Sequence, residues 1–283
     1  MAIYVNTNTA SLGAQRNLSS STESLQTSLQ RLSSGLRINS AADDPSGLAI
    51  SETLTTQING NNQGISNAND GVSLAQTAEG ALGQIQNNMQ TIRQIAVQAA
   101  NGTVSNTNRS QLQTEVDQLT QEISRIIQTT NFNGTLLLSG GNTLTFQIGA
   151  SGTANNQVVA SGLDLTSGLA CYASSLTATG TINITTSGGA SAVLSALDAD
   201  INLISNDRAQ VGALQNRFTA VVANMQNYVQ NLQASRAQLV DTDFAAETAN
   251  LTQQQILQQA GTAILSQANQ LPQAALTLLK GGG

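Results

Sequence analysis

The feature that most constrains this chain is a 3-4 apolar spacing that runs far beyond the length of an ordinary globular helix. From Leu194 the template sets fourteen seam positions up to Leu239, and eleven are apolar: Leu194, Leu197, Ile201, Ile204, Val211, Phe218, Val222, Met225, Val229, Leu232 and Leu239. Arg208, Gln215 and Arg236 interrupt it. This spacing gathers the apolar side chains on one stripe of an α-helix, the seam of a coiled coil or long bundle. A helix of about 46 residues is about 70 Å long at 1.5 Å per residue. That is too long for a compact domain and suits a rod.

The N-terminal arm repeats the pattern. Leu18, Leu25, Leu29, Leu32 and Leu36 form a first stripe, with Gly35 where a C-terminal cap belongs. Asp44 is a natural N-cap and Pro45 sits at the first helical position. The helix that follows is seamed by Ile58, Ile65, Val72, Leu82, Ile85, Met89, Ile92, Ala96 and Ala99, and Asn101-Gly102 stops it. A third helix carries Leu112, Val116, Leu119, Ile123 and Ile126 and ends before Asn131 and Asn133-Gly134. At the other end of the chain a last seam runs through Leu257, Ile264, Leu271 and Leu278, with Pro272 predicting a kink or break.

Residues 131–192 differ in kind, being rich in Gly, Thr and Ser. No basic residue lies between Arg125 and Arg208, and Asp164 is the only charge before Asp198. Thr135–Leu138 and Thr143–Ile148 read as two short strands joined by a turn at Ser139-Gly140-Gly141-Asn142, with Leu144, Phe146 and Ile148 on one buried face. The stretch 150–192 reads as a solvated loop or small subdomain.

Composition then excludes chemistry. The chain has 283 residues, of which 9% are charged and 2% aromatic, with no His and no Trp. Without His, Ser-His-Asp and Cys-His sites cannot be built. Cys171 is the single cysteine, so neither an internal disulfide nor a cysteine zinc site can form, and it reads as an incidental small apolar residue. Asp43-Asp44 fits helix capping better than metal binding. No catalytic, cofactor-binding or metal-binding residue is assigned, and an enzyme is not expected. A net charge of −6 makes nucleic acid a poor partner. No run approaches the roughly 18 apolar residues that span a bilayer, so no membrane insertion is expected. No cleavable secretion signal is visible. Both ends carry apolar stripes that can be covered by each other and by further copies, which predicts ends that are disordered alone and become helical on assembly.

At several ordered strings the chain resembles bacterial flagellin. They include Arg31-Leu32-Ser33-Ser34-Gly35-Leu36-Arg37-Ile38-Asn39-Ser40-Ala41-Ala42-Asp43-Asp44-Pro45, then Asn67-Ala68-Asn69-Asp70-Gly71-Val72-Ser73-Leu74-Ala75-Gln76-Thr77-Ala78-Glu79-Gly80, and Asn131-Phe132-Asn133-Gly134-Thr135. Toward the C-terminus come Arg208-Ala209-Gln210-Val211-Gly212-Ala213, Asp241-Thr242-Asp243-Phe244-Ala245 and Ile264-Leu265-Ser266-Gln267-Ala268-Asn269-Gln270. The resemblance implies a mainly α fold: a long antiparallel helical hairpin or coiled-coil rod with a β-hairpin and a small Gly/Thr/Ser-rich insert. It divides the chain into an N-terminal inner-tube helix (1–45), rod helices plus β-hairpin (46–148), a short outer variable insert (149–192), a C-terminal rod helix (193–239) and a C-terminal inner-tube helix (240–283). The assembly seam would be Leu18, Leu25, Leu29, Leu32, Leu36, Leu257, Ile264, Leu271 and Leu278. The rod core would be Ile85, Met89, Ile92, Leu112, Val116, Leu119, Ile123, Phe218, Val222, Met225, Val229 and Leu232.

The function so implied is a structural subunit that polymerises into the extracellular flagellar filament used for motility. The partners implied are copies of the chain itself, an export chaperone at the C-terminal end, and filament cap and hook-junction proteins. Export would follow the flagellar type III route. The resemblance also implies recognition by a Toll-like innate receptor, with contacts at Arg93, Ile95, Gln98 and Glu115. Thr91 and Gln94 depart from the pattern of strongly recognised members. Two other readings are a hook–filament junction protein and a secreted coiled-coil adhesin.

Overall fold

The computed structural model describes residues 7–280, with side chains described through residue 270. Five helices dominate: α1 (Thr9–Ser34), α2 (Pro45–Ala100), α3 (Asn106–Thr129), α4 (Ser187–Val240) and α5 (Phe244–Lys280). Four short strands lie between α3 and α4: β1 (Asn131–Phe132), β2 (Thr135–Leu136), β3 (Leu144–Gln147) and β4 (Gln157–Ala160).

The helix ends follow from local chemistry. Asn8 accepts the Ser11 N–H at the start of α1, and Gly35 ends that helix at φ +72°, a left-handed conformation that favours glycine. Asp44 Oδ1 accepts the Gly47 N–H at 2.9 Å and opens α2. Its neighbour Asp43 accepts the backbone N–H groups of Ser40 and Asn39, and these donors hold its carboxyl below the usual range. Asp243 Oδ1 caps α5 through Ala245 N–H at 2.9 Å and Ala246 N–H at 3.2 Å. Pro272 does not break α5, which continues to Lys280. A proline removes one ladder bond and crowds the preceding turn, and a helix already long at that point absorbs the loss.

The chain divides into two compact units, Met1–Thr55 with Leu232–Gly283, and Thr56–Asn231. In the terminal unit α1 runs antiparallel to α5. The pairing is fixed by Asn8 Nδ2 donating to Ala268 O at 2.7 Å, by Ser11 Oγ donating to Asn269 Oδ1 at 2.8 Å, and by Gly261 lying against Leu18. Where the two chain segments pass, Arg37 N–H donates to Val240 O and Thr242 N–H to Gly35 O, closing an antiparallel bridge between Leu36 and Asp241.

In the central unit α2 runs antiparallel to α4, as the pairs Glu79–Arg208, Gln86–Ser205 and Arg93–Asp198 require. Leu82, Ile85, Met89 and Ile92 of α2, Ile123 and Ile127 of α3, and Leu197 and Ile204 of α4 are fully buried in one core. A second cluster gathers Ala68, Val158 and Phe218, with Phe146 set edge-on to Phe218 at 5.2 Å and 78°. Gly71 permits this arrangement, since a Cβ there would lie 2.6 Å from the Phe218 ring.

The strand pairing differs from the sequence expectation. Thr135–Leu138 does not pair with Thr143–Ile148. Instead β1 pairs with β2 and β3 with β4, both antiparallel, with Leu144 opposite Ala160 and Gln147 opposite Gln157. Asn133 and Gly134 both have positive φ, +48° and +81°, which is the backbone of a tight two-residue hairpin. The chain therefore reverses at once, and Leu137 and Leu138 go into the core. The stretch 150–192 is largely irregular and exposed, but part of it packs against the helices. Leu165, Leu169, Cys171, Ile182 and Ile184 are buried in the main core, and α4 begins at Ser187, ahead of the expected boundary at 193.

Candidate assembly surface

The α1–α5 pair meets on small and polar side chains. Ser11, Ala14 and Ser28 of α1 and Ala268 of α5 are buried, so the two backbones approach closely. Of the large aliphatic side chains, Leu18 packs over Gly261, and others are left toward the flanks. Leu18, Leu25, Leu32 and Leu36 are half-buried, while Leu29 is 49% exposed. On α5, Leu257 is 44% exposed and Ile264 57%. Ile256 at 60% and Phe244 at 56% add to the same helix. Leu271 and Leu278 have side chains outside the described residues. An isolated pair of helices can close one narrow stripe on each, and residues three or four apart but turned from that stripe stay open. These apolar flanks are available to a third helix.

The polar residues of this unit are arranged around the passing segments. Glu247 is buried and faces Arg31 at 3.9 Å. The Arg37 guanidinium donates to Leu239 O at 2.6 Å, on the carbonyl end of α4, where a cation is favoured.

In the central unit Ile85, Met89, Ile92, Val116, Ile123, Phe218, Met225 and Val229 are buried, whereas Leu112, Leu119 and Val222 are half-buried. Leu232 is half-buried and belongs to the terminal unit. Arg208, which breaks the apolar seam in sequence, pairs with Glu79 at 2.5 Å and also donates to Gln86 Oε1. Arg93 pairs with Asp198 at 2.5 Å, and that hydrogen bond holds the Asp198 carboxyl below its usual range and raises the Arg93 guanidinium. Ile95 is buried at 7% exposure, so it is covered within the subunit, whereas Gln98 and Glu115 are exposed.

Sequence reasoning missed a set of side chains that hold the insert down. Gln113 donates to Ile182 O at 2.7 Å and accepts from Ile184 N–H at 2.8 Å, so its amide takes the place of a neighbouring strand. Asp117 accepts from Gly180 N–H, Gln121 donates to Ala178 O, Ser124 accepts from Ala173 N–H and Gln128 donates to Ser174 O. Asp200 of α4, itself buried, accepts the N–H groups of Ala170 and Cys171 at 3.1 Å each. Burial, with the Asp200 carboxylate beside it, pushes the Cys171 thiol well up and leaves it unreactive. Arg109, also buried, donates to Ala99 O at 2.7 Å and Asn101 O at 2.9 Å and so satisfies the open carbonyl end of α2. A signal was present, because Gln113, Asp117, Gln121, Ser124 and Gln128 form a polar stripe at helical spacing beside the apolar seam.

Among the described residues no group of three or more His, Cys, Asp or Glu side chains could hold a metal ion, and no helix is long and apolar enough to cross a membrane. The grooves are shallow and open. One at the β4–α4 side is lined by Val159, Leu163, Leu214 and Arg217.

Comparison with known proteins agrees with this geometry. The family pattern of the bacterial flagellin N-terminal helical region matches residues 5–143, and that of the bacterial flagellin C-terminal helical region matches residues 194–279. Polar flagellin F of Vibrio parahaemolyticus is 37% identical over 99% of this chain and its own full length. Flagellin B of Vibrio cholerae is 34% identical over the same shares. A solved Vibrio parahaemolyticus chain described as a flagellar hook-associated protein superposes with a TM-score of 0.58 over 70% of this chain and all of its own. At 14% identity that likeness concerns the fold alone.

Proposed function

The chain belongs to the bacterial flagellin family and is a structural subunit of the flagellar filament, not an enzyme, and from that premise we propose which of its surfaces build the polymer. The observation that carries the proposal is the contrast between the buried small residues of the α1–α5 pair and its open aliphatic flanks at Leu29, Leu257 and Ile264. Those flanks are covered by the corresponding helices of neighbouring copies. Residues of about 1–45 and 240–283 form the inner tube of the filament, and the central helices form the surrounding layer. Burying each large aliphatic side chain contributes roughly 1.5–3 kcal/mol. Several per subunit suffice to drive ordered addition of copies.

The family resemblance also supports export through the flagellar type III route, a chaperone on the C-terminal end, and cap and hook-junction proteins as partners during growth. Recognition by a Toll-like receptor rests on Gln98 and Glu115, which are exposed, and on Arg93 once it exchanges Asp198 for a receptor group. Ile95 contributes from below as packing rather than as contact.

Electron microscopy of salted-out protein tests the assembly surface. The intact chain is expected to form filaments. A chain lacking 240–283 and the substitution Leu29→Asp are each expected to stay soluble, the latter because an unpaired charge on the flank must be desolvated. Ordinary filaments from either variant would refute the assignment.

A further inference from the structure

The chain contains three Asn-Gly steps, at Asn59-Gly60, Asn101-Gly102 and Asn133-Gly134. Such a step is the most reactive site for loss of a side-chain amide, because glycine leaves its backbone nitrogen unhindered. The Gly nitrogen, deprotonated by base, attacks the Asn side-chain carbonyl carbon. A C–N bond forms, ammonia leaves, and a cyclic imide joins the two residues. Water then opens either carbonyl of the ring, giving aspartate or isoaspartate. The net change is one water taken up and one ammonia released, with no oxidant or further reactant. All three steps are equivalent in an unfolded chain, so the fold alone separates them.

Asn59 lies inside α2, where the Gly60 N–H is committed to the helical ladder and helical torsions keep it from the side chain of the preceding residue. A Cβ at Gly60 would meet Ala150 at 2.6 Å, so the segment after β3 also covers this step. Asn101 is held at several points. Its Oδ1 accepts the Thr103 N–H, its carbonyl oxygen accepts from Val104 N–H and from Arg109, and its own N–H donates to Gln98 O. Closing the ring there would break the end of α2.

Asn133 has none of this protection. It is exposed, its φ is +48°, and its side chain makes no hydrogen bond among the described residues. Gly134 is exposed with nothing within 4 Å of the place its Cβ would take, as is Gly102, so what separates the two steps is the set of hydrogen bonds that holds Asn101 and that Asn133 lacks. Strands β1 and β2 pair through two residues each, with one further backbone hydrogen bond from Leu137 N–H to Thr130 O, and so short a ladder opens more readily than a helix to let the backbone rotate.

We propose that Asn133 is a built-in, self-catalysed modification site of this subunit, converting to aspartate and isoaspartate while Asn59 and Asn101 persist. The aspartate product keeps the turn, since Asp tolerates positive φ nearly as well as Asn does. The isoaspartate product carries an extra methylene in the backbone and unzips β1 from β2. Filament protein ages in two forms that differ at this one turn.

Full-length protein, incubated as monomer at mildly alkaline pH, would be digested and its three Asn-Gly peptides quantified by mass spectrometry, with isoaspartate methyltransferase labelling to separate the products. The expected result is conversion at Asn133 at least about tenfold faster than at Asn59 or Asn101, and comparable rates at all three in urea. Gly134→Ala is expected to slow conversion in native and unfolded chain alike, by hindering the nitrogen. Asn133→Asp is expected to run with the aspartate product of the natural chain. Equal rates at the three sites in the native chain would overturn the proposal, as would an Asn133 that stays intact while the unfolded chain converts.

Discussion

The terminal unit and the central unit are built from the same residues in nearly the same spacing, yet they solve the burial problem differently. In the central unit, α2, α3 and α4 surround one another, and Leu82, Ile85, Met89, Ile92 and Ile123 are completely covered. Between α1 and α5 of the terminal unit the buried positions are small or polar, Ser11, Ala14, Ser28, Glu247 and Ala268, with Ile38 and Val240 buried where the two segments pass, while Ile256, Leu257 and Ile264 stand open. A third helix makes the difference. Two helices hide a stripe, whereas three enclose a core. The central unit therefore closes its own core, whereas the terminal unit leaves an apolar stripe of α5 open, the one proposed above to meet other copies of the chain.

The contrast can be broken most sharply on α5. Replacing Ile256, Leu257 and Ile264 together by Ser removes roughly 1.5–3 kcal/mol of burial at each position in the polymer. The critical concentration for assembly should rise by several orders of magnitude, while denaturant unfolding of the monomer shifts by no more than about 1.5 kcal/mol, within about 0.5 kcal/mol for each surface change. A large loss of monomer stability would show that these side chains are already covered within one chain.

The opposite pattern is expected for Phe218→Ala, which empties the second cluster under β3 and β4. Its cost is about 3–5 kcal/mol in the cooperative unfolding of the central unit, read by circular dichroism in denaturant. Gly71→Ala should cost less, about 1–3 kcal/mol, because its Cβ pushes on the same ring. A neutral Gly71→Ala would mean that the Phe218 ring has room to withdraw. The smallest effect belongs to the exposed pair Arg93–Asp198. Asp198 has a depressed carboxyl pKa in the folded chain, so its contribution is present above the ordinary carboxylate range and is lost as pH falls through the depressed value. Arg93→Ala should therefore flatten the acid limb of thermal stability slightly and leave neutral-pH assembly of filaments intact.

How much of this was legible in advance varies by element. The helices and their caps at Gly35, Asp44 and Asn101 were readable because they depend on neighbours within one turn. The buried stripe of α4 was readable because helical period and burial coincide. The partner of β3 was not readable, since strand pairing joins segments that no local period links, here Leu144–Gln147 with Gln157–Ala160. Cys171 and Ile184 illustrate the same limit. Their segment shows no period at all, and it is fixed by side chains of another helix, Gln113, Ser124 and Asp200. Arg208 interrupts the apolar seam in sequence, and in the fold it pairs with Glu79.

The sequence by itself determined that this chain makes long helices, has no histidine with which to build a histidine-based site, and carries apolar stripes along the arms at both ends. Those properties are local or compositional, and they survive any arrangement of the helices. Only the tertiary structure decided which face of α5 is spent on α1 and which is left open, which strand lies beside β3, and which of three identical Asn-Gly steps is unprotected. Each of those depends on what another part of the chain brings within a few ångströms, and no stretch of sequence read alone contains its neighbour.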